Sequence, residues 1–369
     1  MRIEQVLPGF NRGDAMSNEA RLLQRHFRGL GIDTAIYAEH IQPQAREECI
    51  PVAQFFLRPP PDLTIYHYGV GTPITQQLRR WPGPKLMIYH NVTPPQYFRN
   101  VNDEMVRLCQ QGRSDLFADR RRYQAVWACS DFSRRELACL GFERVRHVPI
   151  PLDWEEYNQE PDRNTLRRLD ALAGPHILFV GRMSVNKRQD DIVRAFAIFR
   201  ALYERDAHLW LVGTAVGQER YLAQVEALAE RFGVANQVHF IGHAAFPALL
   251  AYYQGCHLFL SMSEHEGLGI PWLEAQYFGL PVVAYAAAAI PETVGSGGLL
   301  FGEKDFEQVA ALMALVLRRE DIRLMLRDEG RKQAQTFSPR RILPDMDRYL
   351  TEDFPKLSWP EVPGTVGIL

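Results

Sequence analysis

The chain has 369 residues, 46% hydrophobic and 23% charged, with a formal net charge of −2; that is enough chain for two domains with full cores. The charge balance excludes a general nucleic-acid binder, whose footprint is a strongly basic face. The charge is uneven: residues 1–150 hold 20 Lys and Arg against 15 Asp and Glu, a net of +5, and the remainder holds 22 against 29, a net of −7.

The basic half fits an anionic acceptor or a membrane surface, and equally a solvated Arg-rich face. Five cysteines (Cys49, Cys109, Cys129, Cys139, Cys256) are scattered and none makes a C-x-x-C pair. They read as reduced thiols of a cytoplasmic protein. The opening MRIEQVLPGF has no signal-peptide core. The longest apolar tract, VVAYAAAAI from Val282, is too short to span a bilayer. Membrane contact, if it occurs, is expected to be peripheral.

In chain order, IEQVLP opens as a strand, and GDAMSNEARLLQRHFRGLG places Leu22, Leu23, Phe27 and Leu30 at helical spacing before Gly31. TAIYAE, DLTIYHY, KLMIYHN, AVWACS and RVRHVPI follow as strands punctuated by Pro and Gly. Strands alternating with helices predict a parallel, doubly wound α/β sheet. Three loops would then end strands on one side: PGFNRGDAMSNE with Gly13 and Asp14, IYHYGVGTP with His67, and MIYHNVTPP with His90. Ser130, heading SDFSRREL with Arg134 and Arg135, reads as a helix N-cap.

Residues 158–174 are polar and weakly periodic, a linker with a short helix. A second alternating set begins at HILFVGR and runs through AHLWLVG, QVHFIGH, HLFLSMS, LPVVAYA and GGLLFG. In FVGRMSVNKRQDDIVRAF a strand ends at Gly181, a loop carries Arg182 and Lys187, and a helix begins near Gln189. A guanidinium fork and a point-charge ammonium can converge on one diphosphate and stabilise its departure. In EHEGLGIPWLEA, Glu266 and Glu274 stand eight positions apart around Gly267, Leu268, Gly269, Ile270 and Pro271. The pattern is strand, tight loop, helix, with Pro in the first turn. Glu266 falls in the loop at the strand's carboxyl end, where open α/β sheets bind ligands. The helix start offers N–H groups to an anion. Asp345-Met346-Asp347 lies in the last helical stretch, 321–350, and reads as a solvated helix face rather than a metal site.

The E-x7-E and G-R-x4-K elements resemble those of retaining glycosyltransferases of the family-4 type. The resemblance implies an α/β GT-B fold: two Rossmann-like doubly wound domains facing across a cleft. It divides the chain into an acceptor-side domain 1–157 and a nucleotide-sugar domain 158–339, with about 340–369 packing back on the first. It implies a retaining, metal-independent transfer of a hexose from a nucleoside diphosphate sugar to a glycan or lipid-linked acceptor hydroxyl. Arg182 and Lys187 would hold the diphosphate, the 267–270 backbone would assist, Glu274 would bind ribose, and Glu266 would orient the sugar. His90 would contact the sugar; Asp14 would cap the following helix or contact the acceptor, and its loop, with Gly13, would close over donor and acceptor. YHNVTPP and FVGRMSVNKRQDD resemble enzymes of O-antigen or exopolysaccharide assembly, which favours GDP-mannose over a UDP-hexose and places the protein in the cytoplasm, at the inner face of the membrane where the acceptor is lipid-linked. No cofactor and no nucleic-acid partner are expected. A nucleotide-sugar epimerase and a non-catalytic nucleotide-sugar- or glycan-binding protein remain as alternatives on the same fold.

Overall fold

The computed structural model describes residues 1–360. Part of the proline-bearing tail, 361–369, lies outside them, so the C-terminal reading extends here to Pro360. The chain forms two compact units. One holds Met1–Pro95, Glu104–Asp153 and the chain from Phe337; the other holds Gln96–Asp103 and Trp154–Thr336.

The first unit is built on β1 (Arg2–Phe10), β2 (Asp33–Ile41), β3 (Ile50–Pro51), β4 (Leu63–Tyr68), β5 (Lys85–Tyr89), β6 (Ala125–Ala128) and β7 (Val145–His147). All pairs are parallel, in the order β3-β2-β1-β4-β5-β6-β7. Every residue of β4 and β6 is buried, as in strands covered on both faces, although β4 carries Thr64 and His67 among its apolar residues. The two-residue β3 is an edge strand too short to leave a periodic signal. The helix Ala15–Gly29 starts at Asp14, whose Oδ2 accepts the Ser17 N–H at 3.2 Å and its hydroxyl at 3.0 Å; such a cap is worth about 1 kcal/mol. It closes against Gly31 at φ 74°. Its inner face packs Ala20 with Leu7, Phe10, Ile36 and Ala38.

The last helix, Pro339–Asp353, belongs to this unit. Asp353 accepts from Arg146 at 2.6 Å and from the Trp127 indole at 3.1 Å. The Asp-Met-Asp run is only partly a solvated face. Asp345 is exposed and pairs with Arg348, but Met346 is buried and Asp347 meets His26 Nε2 at 2.7 Å. A helix docked on a sheet buries one side, and Asp347 lies towards it.

The second unit is built on β8 (His176–Val180), β9 (His208–Val212), β10 (Val238–Gly242), β11 (Leu258–Ser261), β12 (Val282–Tyr285) and β13 (Gly298–Phe301). It is parallel throughout, in the order β10-β9-β8-β11-β12-β13. Apolar clusters cover both faces, one around Phe179, Phe196 and Leu211 and one around Trp210, Phe259 and Trp272. The segment 158–174 contains a helix, Arg163–Asp170, capped by Asp162. Four imidazoles cross neighbouring strands at their amino ends: His239, His208, His176 and His257, with ring centroids 5.3–5.6 Å apart. In each sheet the strand order reverses beside the first strand, between β1 and β4 and between β8 and β11. Connections leave such a point in opposite directions and open a crevice at the carboxyl ends. The motif loops follow those strands.

Candidate active site

In the second unit, β8 ends at Val180 and the chain turns through a short 3-10 segment, Val185–Lys187, into the helix Gln189–Leu202. β11 ends at Ser261 and leads through 262–269 into the helix Ile270–Tyr277. Asn186 joins the two loops. Its Nδ2 donates to the His265 carbonyl at 3.0 Å, its own carbonyl accepts the Glu264 N–H at 2.8 Å, and its Oδ1 receives the Ser184 hydroxyl at 2.7 Å. This stitching brings Lys187 Nζ to 2.5 Å from both oxygens of Glu266, which is 7% exposed. The two residues singled out in separate motifs therefore meet as a part-buried ion pair. Arg182 is exposed, and its guanidinium makes no ion pair among the described residues; its carbonyl accepts from Gln189 Nε2 at 2.9 Å.

The helix start depends on Gly269, which sits at φ 97°. A Cβ there would lie 2.1 Å from Trp272 Cζ3, so the turn closes only around glycine. Leu268 is buried and its carbonyl accepts the Thr293 hydroxyl at 2.6 Å. Gly267 and Ile270 complete the turn at the helix amino end, where backbone N–H groups suit an anion.

Glu274 lies one turn further on and is turned inward. It is 8% exposed, and its oxygens accept the hydroxyls of Tyr157 at 2.6 Å and Tyr253 at 2.5 Å. Burial lifts its carboxyl above the usual range, and the two phenols pull it back only in part. A ribose would share this carboxyl with two tyrosines already bound to it.

A charged rim borders the pair. Arg188, left-handed at φ 53°, places its guanidinium 3.0 Å from Asp190 and from Asp191. Lys304 bridges Asp191 at 2.9 Å and Glu264 at 2.6 Å. Burial works against the Asp191 charge, but the donors from Arg188 and Lys304 outweigh it and hold the carboxyl below its usual range.

The first-unit candidates lie at the carboxyl ends of its strands. Gly13 is exposed at φ 79° with open space beside it. The Asp14 carboxylate is occupied as the helix cap. His67 is fully buried, with Nε2 2.9 Å from Gln5 Oε1. His90 Nε2 lies 3.1 Å from His67 Nδ1 and 3.2 Å from Glu19 Oε2. Burial opposes the Glu19 charge, but the facing imidazoles outweigh it and pull the carboxyl down to about 2. Burial pushes His67 below the ordinary imidazole value. Ser130 caps the helix Asp131–Cys139 through the Ser133 N–H, and Arg134 and Arg135 both pair with Asp131.

Sequence reasoning missed Glu19, although it stands three and four residues before Leu22 and Leu23 on the helix's apolar face. It missed Tyr157 and Tyr253, which carry no local signal, and the bridging role of Lys304, whose partners are remote in sequence. A groove of about 630 Å³ lined by Pro175, His257, Pro281 and Arg327 lies at the amino ends of β8, β11 and β12. Ligands of open α/β sheets bind at the other end, so the Lys187–Glu266 loops and not this groove are the candidate site.

The family model for glycosyl transferases, group 1, matches residues 169–333. The match covers less than half of the chain and includes Arg182, Lys187, Glu266 and Glu274. The serotype-specific mannosyltransferase WbdA of Escherichia coli is 24% identical over 229 residues, 60% of this chain and 28% of its own. A D-inositol 3-phosphate glycosyltransferase of Geodermatophilus obscurus is 30% identical over 270 residues, 69% of this chain and 58% of its own. The chain thus spans less than two thirds of the length of these relatives. The sucrose-phosphate synthase structure from Thermosynechococcus elongatus superposes with a TM-score of 0.77 at 18% identity, covering 97% of this chain and all of its own. Together with the two parallel sheets, that likeness gives the fold as GT-B. Among the described residues no helix is long and apolar enough to cross a membrane.

Proposed function

We propose that this protein is a retaining hexosyltransferase, moving a hexose, mannose favoured, from a nucleoside diphosphate sugar to a hydroxyl of a glycan or lipid-linked acceptor. The observation that carries the reading is the meeting of Lys187 and Glu266 at the β8–β11 reversal point of a group 1 domain. The preference for mannose leans on the mannosyltransferases among the relatives, and for GDP-mannose over a UDP-hexose on the motif resemblance. The basic residues 1–150 fit an anionic acceptor at the inner membrane face.

In this reading Lys187 exchanges Glu266 for the donor diphosphate. Arg182, already free of ion pairs among the described residues, takes a second phosphate oxygen, and the 267–270 turn adds backbone donors. Two cations neutralise the diphosphate, which then leaves with no metal ion on it. Glu266, released from Lys187, accepts hydroxyls of the sugar and fixes its orientation. His90, whose Nε2 faces Glu19 and His67, is assigned to the sugar on the motif resemblance alone.

The test is nucleoside diphosphate release from a panel of GDP- and UDP-sugars, without added divalent ion. Release is expected from one donor, faster with a glycan acceptor, and reduced by about 10²-fold or more in Lys187→Ala and Glu266→Gln. Lys187→Ala with near-normal turnover would sink the phosphate role. Donor conversion with no acceptor and no release would select the epimerase, and donor binding without turnover the binding protein.

A further inference from the structure

We propose that Glu19, His67 and His90 form a binding site for a divalent transition ion of the Zn(II) class inside the first unit. The argument is independent of the transferase reading and places no ion on the diphosphate.

Three elements bring the residues together. Glu19 comes from the second turn of the Ala15–Gly29 helix, His67 from the carboxyl end of β4, and His90 directly follows β5. Gln5 in β1 sets the orientation of the centre. Its Nε2 donates to the Ala20 carbonyl at 2.9 Å, so its Oε1 is the atom facing His67 Nε2 at 2.9 Å. The proton of neutral His67 is thereby held on Nε2, and the Nδ1 lone pair points inward. Glu19 is 1% exposed and His67 fully buried. Both Glu19 oxygens are buried and receive no hydrogen bond of normal geometry. His90 Nε2 is the third vertex.

The separations are 3.1 Å from His67 Nδ1 to His90 Nε2, 3.2 Å from His90 Nε2 to Glu19 Oε2, and 3.5 Å from His67 Nδ1 to Glu19 Oε2. Ligand atoms of a tetrahedral ion held at about 2.0–2.1 Å lie about 3.3 Å apart. The triangle is one face of that tetrahedron. A carboxylate and an inward lone pair converge there with at most one shared proton from His90, and a buried cluster so poor in positive charge is stabilised by a cation. Two imidazoles and a carboxylate suit Zn(II) better than Mg(II) or Ca(II), which take oxygen donors. Such a set leaves a fourth position for water. The Gln5 amide is the outer partner that metal-bound histidines ordinarily have. The ion ties the helix to β4 and to the chain after β5, and sets the ring of His90.

The experiment measures the metal content of the full chain purified without chelator, followed by dipicolinate stripping and titration with Zn(II) and Co(II). About one equivalent of zinc per chain is expected, with tetrahedral Co(II) visible bands and a thermal midpoint raised by Zn(II). The isosteric Glu19→Gln should abolish the Co(II) bands, and Gln5→Met should weaken Zn(II) by about 10- to 100-fold. A stripped wild-type chain that gives no Co(II) bands and no Zn(II) shift overturns the proposal and leaves a proton-held His90–Glu19 pair. So does a Glu19→Gln chain, folded by circular dichroism, that binds Zn(II) as the wild type does.

Discussion

The imidazole row of the second unit makes its stability depend on pH, and the share of His176 follows from the structure. The side chain is 3% exposed, its Nδ1 accepts the Trp210 indole N–H at 3.0 Å, and it also bonds the backbone of Leu169 and Leu172. Protonating Nδ1 would set one N–H against another. Burial, then the neighbouring His257 and His208, lowers its pKa to about 4. An unfolded imidazole titrates near 6.5. Above about pH 6.5 the ring is neutral in both states and its contribution is fully present. As pH falls from about 6.5 towards 4, the unfolded chain takes a proton that the folded chain refuses, so stability falls with pH. At about pH 5 this comes to about 2 kcal/mol, and to about 3 kcal/mol once both states are protonated. Urea melts at about pH 7.5 and about pH 5, read by tryptophan fluorescence, should show it as a midpoint lower by about 1 M at the lower pH. His176→Asn keeps an acceptor for Trp210 and cannot titrate. Its acid loss should be smaller by about 2 kcal/mol than that of the wild type. Equal losses in the two proteins would refute the assignment of the effect to His176.

Tyr253→Phe removes one of two phenol donors from a buried carboxyl and should lower the stability of the second unit by about 1.5–3 kcal/mol; calorimetry at neutral pH checks this, and an unchanged melting temperature would mean that Glu274 does not depend on that bond. Gly269→Ala forces a side chain into a left-handed turn already filled by Trp272, so a loss of more than about 1 kcal/mol is expected in the same measurement, with donor-stimulated turnover falling as the 267–270 turn shifts. A fully active, fully stable Gly269→Ala would show that the turn has room that the geometry denies it.

Much of this architecture is written locally. All twelve strands read from apolar runs appear in the two sheets, because covered strands are rich in apolar residues, even where they carry buried polar ones such as Glu4, Gln5 and His67. The two-residue β3 escaped, since two residues carry no period. The helix starts at Asp14, Ser130 and Ile270 were readable because capping residues, Pro and Gly act within one turn. The same locality explains what was not readable. Nothing near Lys187 in sequence says that its ammonium meets Glu266, 79 positions on, and nothing near Glu274 says that Tyr157 and Tyr253 hold its carboxyl. His67 and His90 were singled out one by one from strand ends, while the carboxylate that faces both of them sits in a helix read only for its apolar residues.

Periodicity and turn chemistry over a few residues set the order of the longer strands, the parallel doubly wound class and the motif loops. The tertiary structure decided which charges neutralise one another, which carboxyl is withdrawn from solvent and where lone pairs converge. Those outcomes depend on strand order: β1 lies beside β4, and β8 beside β11, only after the chain has crossed back over the sheet. That crossing brings Glu19 to the two histidines and Lys187 to Glu266.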